Sequence, residues 1–164
     1  MSKVITTYLE MNSRSEFIEK TDSKGLTVIE AEIKDFRFNR YLYSLVGEMW
    51  SWTDKLKLTD EQWRDYAESN NLRTCVAYYK GSVVGYFETN TDSECHVEIA
   101  YFGLTPNFIG KGFGGYLLSS AIKFAWEKCN AKRVWVHTCT LDHPNALNNY
   151  QSCGLKIYRE EINK

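Results

Sequence analysis

Between Glu98 and Trp126 the chain reads EIAYFGLTPNFIGKGFGGYLLSSAIKFAW, an apolar strand, a turn with four glycines in six residues, and a helix. Beyond Gly110, Gly112, Gly114 and Gly115, the residues Tyr116, Leu117, Leu118, Ala121, Ile122, Ala125 and Trp126 recur at helical spacing. So many glycines cost chain entropy, and a turn keeps them where backbone must approach another group closely. With no Cβ in the way, successive N–H groups can converge on an anion, and the positive end of the following helix dipole reinforces them. The expected occupant of residues 110–115, Lys111 and Phe113 included, is a phosphate or pyrophosphate. The bland alternative is a tight turn without a ligand.

Other glycine-rich motifs fit less well. Gly110, Gly112 and Gly115 match the dinucleotide-binding fingerprint by letter. That fold needs further strand–helix units and an acidic residue roughly 20 positions on. Only 49 residues follow Gly115, position 135 is a tryptophan, and the first downstream acid near a strand end is Asp142. A Walker loop is excluded because Lys111 precedes Gly112 and no Gly-Lys-Ser or Gly-Lys-Thr occurs. A kinase glycine loop lies between two strands, whereas this one opens a helix.

The surrounding pattern supplies strands and helices of both periods. Residues 3–11 and 26–33 read as strands, separated by the polar stretch 12–25. The apolar residues from Phe36 to Trp52 fit one helix, and Thr59 with Gln62 forms a capping box for a second helix through about Ser69. RTCVAYY and SVVGYFET flank Lys80-Gly81 as a hairpin, and a turn at 90–94 leads into the strand His96–Leu104. RVWVHTCT is the strand after the glycine-turn helix, which implies a right-handed parallel crossover. Pro144 opens a short helix to about Cys153, Gly154 stops it, and LKIYREEI closes the chain.

At 164 residues, 43% hydrophobic and 25% charged, the chain has the bulk of one globular domain, and no linker or repeat divides 1–164. A net charge of −1 gives no support for nucleic acid or an anionic membrane as the main partner. The sequence MSKVITTYLEMNSRSE lacks the apolar core of a leader, no apolar run approaches the ~18 residues of a membrane span, and the five cysteines form no C-x-x-C pair. The expected location is the cytoplasm. His137, Cys139 and His143 lack a fourth ligand and any established spacing, so no metal is expected.

The run IGKGFGGYLL, after a strand and a proline, resembles the acyl-coenzyme A signature [Q/R]-x-x-G-x-[G/A] of the GNAT N-acetyltransferase superfamily. Gly112 and Gly114 occupy the small-residue positions, and Ile109 stands where Gln or Arg is usual. HPNALNNYQSCGL resembles the second family motif, with Tyr150 at the tyrosine position and His143 where Asn is common. Together the motifs span about residues 96–155, and the N-terminal half matches by order of elements alone. The resemblance implies an α/β (mixed α+β) fold, a mostly antiparallel sheet with a central parallel strand pair and about four helices. In that family the parallel strands splay apart and the acyl-CoA arm enters the gap. It also implies acetyl-CoA as cosubstrate and a small-molecule or protein amine as acceptor; a homodimer is compatible with the sequence.

Acetyl transfer requires a base for the amine, stabilisation of the thioester oxygen, and an acid for the departing thiolate. Glu98 lies eleven residues before Ile109, a separation that resembles the general-base glutamate of the family's histone-acetylating members. Its alternative is a solvent-facing or lysine-paired glutamate. Alternation along the strand predicts His96, Glu98, Ala100 and Phe102 on one face and Val97, Ile99 and Tyr101 on the other. Gly103, between Phe102 and Leu104, is expected to mark a bulge that frees N–H groups for the pantetheine arm, or else a packing contact. Tyr150, with a hydroxyl pKa of ~10, is the expected general acid, or else a core tyrosine. Asn149 and His143 are candidates for cofactor contacts. The turn Trp50-Ser51-Trp52 lies where the family builds its acceptor pocket, with core packing as the alternative. His137 is expected to line the substrate gap.

A non-catalytic acyl-CoA-binding module remains the reading from a different class.

Overall fold

Residues 3–50 and 52–163 are described in the computed structural model, and they form seven strands and four α-helices in the order read from the sequence. In chain order these are β1 (Val4–Met11), β2 (Thr27–Glu30), α1 (Phe36–Gly47), α2 (Asp60–Ala67), β3 (Leu72–Tyr79) and β4 (Ser82–Thr91). Then follow β5 (His96–Leu104), α3 (Gly114–Glu127), β6 (Arg133–Cys139), α4 (Ala146–Ser152) and β7 (Lys156–Asn163). The strands make one sheet in the order β2-β3-β4-β5-β6-β1-β7, antiparallel except for the central pair β5 and β6.

Local chemistry explains most boundaries. Lys80 and Gly81 both have positive φ, 49° and 87°, the geometry that lets a two-residue turn follow the twist of its strands. The Thr59 hydroxyl accepts from the Gln62 amide at 3.2 Å while the Gln62 side chain accepts from the Thr59 amide at 2.9 Å, closing the capping box of α2. Gly154 stops α4 with φ of 103°.

Several expected spans are shorter in the structure, the second helix ending at Ala67 and the strand after the glycine-turn helix at Cys139. The first helix stops at Gly47, followed by a single 3-10 turn, Glu48–Trp50, because the chain folds back there. The Trp52 amide donates to the Gly47 carbonyl at 3.1 Å, and a Cβ on Gly47 would lie 2.6 Å from that of Trp52. Ser51 lies outside the described residues. The second strand narrows to Thr27–Glu30, and α4 begins at Ala146 after a turn in which the Ala146 amide bonds the His143 carbonyl.

The strand pair that matters most is the parallel one. β5 and β6 are joined over three rungs only, His96↔Arg133, Val97↔Val134 and Glu98↔Trp135. Beyond Glu98, β5 stays with β4 out to Leu104, while β6 stays with β1 out to Cys139. The two arms therefore open as a V with Glu98 at its vertex. In an antiparallel pair alternate residues direct their N–H and C=O away from the partner, so the β5 edge from Ile99 to Leu104 presents backbone groups to the gap.

The sheet is covered on both faces. α3 lays Leu117, Leu118, Ala121, Ile122 and Ala125, all fully buried, on one face against Val97, Ile99, Val134 and Val136. Each such Leu or Ile contributes roughly 1.5–3 kcal/mol by leaving water. α1 and α2 cover the other face with Leu42, Tyr43, Val46 and Trp63.

Simple alternation fails along β5. Glu88 pairs with Tyr101 but Thr89 pairs with Ile99, so Ala100 is an extra residue in the ladder. The bulge turns Tyr101 toward α1 and α2, where it packs with Tyr43 and Trp52, and sends Phe102 to the face of α3 and Tyr150. Gly103 is not the bulge; it pairs regularly with Tyr86, and its missing side chain admits Val46, whose Cγ1 would lie 2.4 Å from a Cβ.

Candidate active site

The open V holds a cavity of about 1140 Å³, running from the glycine turn past Glu98 to the turn after α1. The walls at the glycine end come from Gly110, Gly112, Gly114, Gly115 and Ile109. Gly110 and Gly112 have φ of 82° and 85°, a conformation that side chains disfavour, so backbone geometry favours glycine there. The amides from Gly110 to Phe113 donate to no backbone carbonyl among the described residues, and the first α3 amide to do so in the turn is that of Leu117, to Phe113. Free amides at a helix start make a ready anion cradle.

Two expected members of the cradle do not line the cavity. Phe113 is 6% exposed and packs its ring on Tyr79 and Phe108, so only its backbone is available to a ligand. Lys111 is exposed, with its ammonium 5.5 Å from the Phe108 ring centroid.

Phe102, Gly103 and Leu104 line the middle of the cavity along the open β5 edge, with Glu98 at the vertex. Burial is the main influence on the Glu98 carboxyl and raises its pKa, opposed by the nearby charges of His137 and Lys55. The His137 Nε2 lies 3.7 Å from a Glu98 carboxylate oxygen, across the gap from β6. A carboxylate with a raised pKa is a stronger base than an exposed one.

Tyr150, from α4, is 6% exposed and lines the same cavity, with its ring 6.3 Å from that of Phe102. Its hydroxyl makes no hydrogen bond to other described residues. Burial, and secondarily the Asp142 charge, pushes its pKa up, which keeps it protonated through the neutral range. Asn149 fixes α4 to α3 by donating to the Gly114 carbonyl at 3.2 Å. His143 accepts from the Asn145 amide at Nδ1, 3.0 Å, and meets Trp50 edge-on at 5.3 Å between centroids, so a residue expected on the cofactor side touches one expected on the acceptor side.

At the far end of the cavity from the glycine turn, the tryptophans are expected either to contact an acceptor or to pack in the core. Trp52 lines the cavity and also wedges against Tyr43 and Tyr101, at 5.6 and 5.0 Å between ring centroids. Its neighbour Asp54 accepts from Tyr43 at 2.8 Å and from Tyr101 at 2.7 Å. Burial disfavours the Asp54 charge, but the hydroxyls of Tyr101 and Tyr43 outweigh it and hold the pKa low. Tyr43 is pushed up to about 12, chiefly by burial. Lys55 places its ammonium 3.6 Å above the Tyr66 ring, and the Tyr66 hydroxyl donates to Glu88, a carboxyl that is 1% exposed and also receives Asn39 at 2.8 Å.

Tyr8, Lys20, Asp54, Lys55, Tyr66 and Tyr101 all line the cavity and were not legible as site residues. For Tyr101 the signal is hidden by the bulge; the others sit in segments whose meaning depends on distant contacts. Among the described residues no group of three or more His, Cys, Asp or Glu is placed to hold a metal ion, and no helix is long and apolar enough to cross a membrane.

The family model described as acetyltransferase (GNAT) family matches residues 39–155. No curated protein sequence matches. Among solved structures, the GCN5-related N-acetyltransferase from Sphaerobacter thermophilus aligns at a TM-score of 0.74 and 13% identity over 99% of this chain and 51% of its own. That from Kribbella flavida aligns at 0.71 and 14%, over 99% of this chain and 57% of its own, so this chain spans little more than half of either. A spermidine N-acetyltransferase from Vibrio cholerae, in complex with CoA and spermine, aligns at 0.63 and 21% over 80% of both chains. These likenesses carry the fold, and the family match covers both the V and the glycine turn: the chain belongs to the GNAT acetyltransferase family.

Proposed function

We propose that this chain transfers an acetyl group from acetyl-CoA to the primary amine of a small molecule by direct attack. The observation that carries the reading is the position of Glu98 at the vertex of the V, between the glycine cradle and the Trp50–Trp52 wall. Acetyl-CoA fits the cavity's chemistry. The amides of 110–115 suit its pyrophosphate, and the open β5 edge suits the amide groups of the pantetheine arm.

In this reaction the lone pair of the neutral acceptor amine attacks the thioester carbon, and Glu98 takes the one proton that the nitrogen sheds as the bond forms. The C–N bond forms, the C–S bond breaks, and the thiolate takes its proton from Tyr150. A backbone N–H of the open β5 edge stabilises the carbonyl oxygen as charge builds on it. The alternative to this proton path at the leaving sulfur is water, with Tyr150 as part of the core. His137, with its Nε2 3.7 Å from a Glu98 carboxylate oxygen, positions Glu98 from across the gap.

The contact between Trp50 and His143 bridges the cavity wall and supports a small acceptor over a protein lysine or N-terminus. The spermidine enzyme aligned above, which holds spermine, makes polyamines a sensible first class to assay. The experiment is release of free CoA thiol from acetyl-CoA with a panel of polyamines, aminoglycosides, amino acids and lysine peptides. Turnover with a small amine is expected. Turnover with peptides alone would move the acceptor to proteins, and CoA binding without any turnover would leave a binding module.

A further inference from the structure

Residues 12–25 join β1 to β2, and in the sequence they are only a polar separator. In the structure they lie across the start of α3 and the end of α4. The Ile18 amide donates to the Cys153 carbonyl at 2.9 Å, and the Lys20 amide donates to the hydroxyl of Ser119, a 2% exposed residue of α3, at 2.8 Å. Gly154 is needed for this approach as well as for its φ, since a Cβ there would meet the Glu16 carbonyl oxygen at 2.1 Å.

So anchored, the segment delivers two lysines to the glycine turn. The Lys20 ammonium lies 3.1 Å from where a Cβ of Gly115 would stand, and the Lys24 ammonium 2.7 Å from that of Gly112. Lys24 itself holds a left-handed conformation, φ 51°, with its amide on Asp22. Lys20 donates to the Ser152 hydroxyl at 2.6 Å and lines the cavity. Neither ammonium has a carboxylate partner among the described residues.

Two cations beside a helix start repel each other and the partial positive charge of its free amides. The arrangement becomes favourable once an anion of multiple charge sits among them. We propose that Lys20 and Lys24 are phosphate-binding residues of the acyl-CoA site and neutralise the pyrophosphate that the 110–115 amides cradle. The proposal rests on the acetyl-CoA reading above. It gives the β1–β2 segment a place in the cofactor site, although its residues lie some ninety positions before the glycine turn. Glycine at 112 and 115 then serves twice, admitting the ligand and admitting the lysines.

The test is calorimetric titration of CoA into the wild type, Lys20→Gln, Lys24→Gln and the double variant, with Lys132→Gln as a control for net charge at an exposed site remote from the turn. Each single variant should lose about tenfold in affinity, the worth of one charge-assisted contact, and the double variant more. The salt dependence of the affinity should flatten as the charges are removed. 3′-Dephospho-CoA separates the phosphates: the same losses with it support the pyrophosphate assignment, and losses that vanish with it overturn that assignment in favour of the 3′-phosphate. Lys20→Gln also loses the bond to Ser152, so Lys24→Gln, which has no such partner to lose, carries the decision. Wild-type binding with unchanged affinity in Lys24→Gln overturns the inference, whereas absence of wild-type binding overturns the acetyl-CoA reading itself.

Discussion

The glycine-turn end of the cavity is drawn from one stretch, residues 98–150, and offers mainly backbone groups, apart from the lysines proposed above. The end beneath Trp50 and Trp52 is collected from β1, the α1–α2 connection, α2 and β6, and offers side chains. Backbone recognition needs only that certain positions lack a Cβ, so it leaves a glycine pattern that survives much change elsewhere. A side-chain wall built from separated segments can be altered residue by residue without disturbing the cradle. The difference gives a physical reason for one fold to keep its cosubstrate while the acceptor varies. Glu98 and Tyr150 lie where the two ends meet.

The most damaging substitution should be Glu98→Gln, at the junction. It keeps the shape and removes the base, so kcat should fall by about 10²–10⁴ near neutral pH while CoA affinity persists. Because burial raises the Glu98 pKa, wild-type kcat/KM should decline on acidification through a pKa above the ordinary glutamate value, and the variant should lack that limb. A loss of CoA affinity as large as the loss of rate would erase the division between the two ends.

Tyr150→Phe should follow, with kcat lower by ~10²-fold and CoA affinity changed by no more than one hydrogen bond, about 0.5–1.5 kcal/mol. The rate loss should shrink with an acyl donor whose thiol is already acidic. Near-normal kcat in a folded variant would mean that water protonates the thiolate.

Gly112→Asp confines its damage to the cradle. A carboxylate there would add like charge and compete for Lys24, so CoA should bind more than about tenfold more weakly. Acceptor KM at saturating acetyl-CoA should barely move. Unchanged CoA affinity in the folded variant would place the cofactor elsewhere.

The smallest effect belongs to the acceptor end and is one of stability. Burial raises the Glu88 pKa against the hydrogen bonds of Tyr66 and Asn39. A carboxyl with a raised folded pKa contributes its full stability below the unfolded value and loses it as pH rises through the folded value. Glu88→Gln should therefore gain on the wild type between pH 5 and pH 8, by about 2–4 °C in Tm for each kcal/mol recovered. Scanning calorimetry at the two pH values checks the sign, and a relative gain toward acid would contradict the burial argument.

Much of this molecule is written locally. The hairpin at Lys80-Gly81, the α2 capping box, the Gly154 stop and the glycine turn each depend on a few adjacent residues, and each stands where the sequence puts it. The element order followed from periodicity, and the family resemblance supplied the splayed parallel pair. Tertiary structure decided the rest. The extra residue at Ala100 reverses the faces of Tyr101 and Phe102, because strand register is set by the partner strand and the packing on both faces. Gly47 ends α1 because Trp52 folds back over it, and Gly103 serves the approach of Val46. β1 enters the sheet between β6 and β7, which carries Tyr8 to the acceptor wall and lays Lys20 and Lys24 on the glycine turn. Caps and turns are satisfied by their own neighbours and so are legible in order along the chain. Register, close approach and convergent charge depend on residues far apart in sequence, and only the folded packing brings those together.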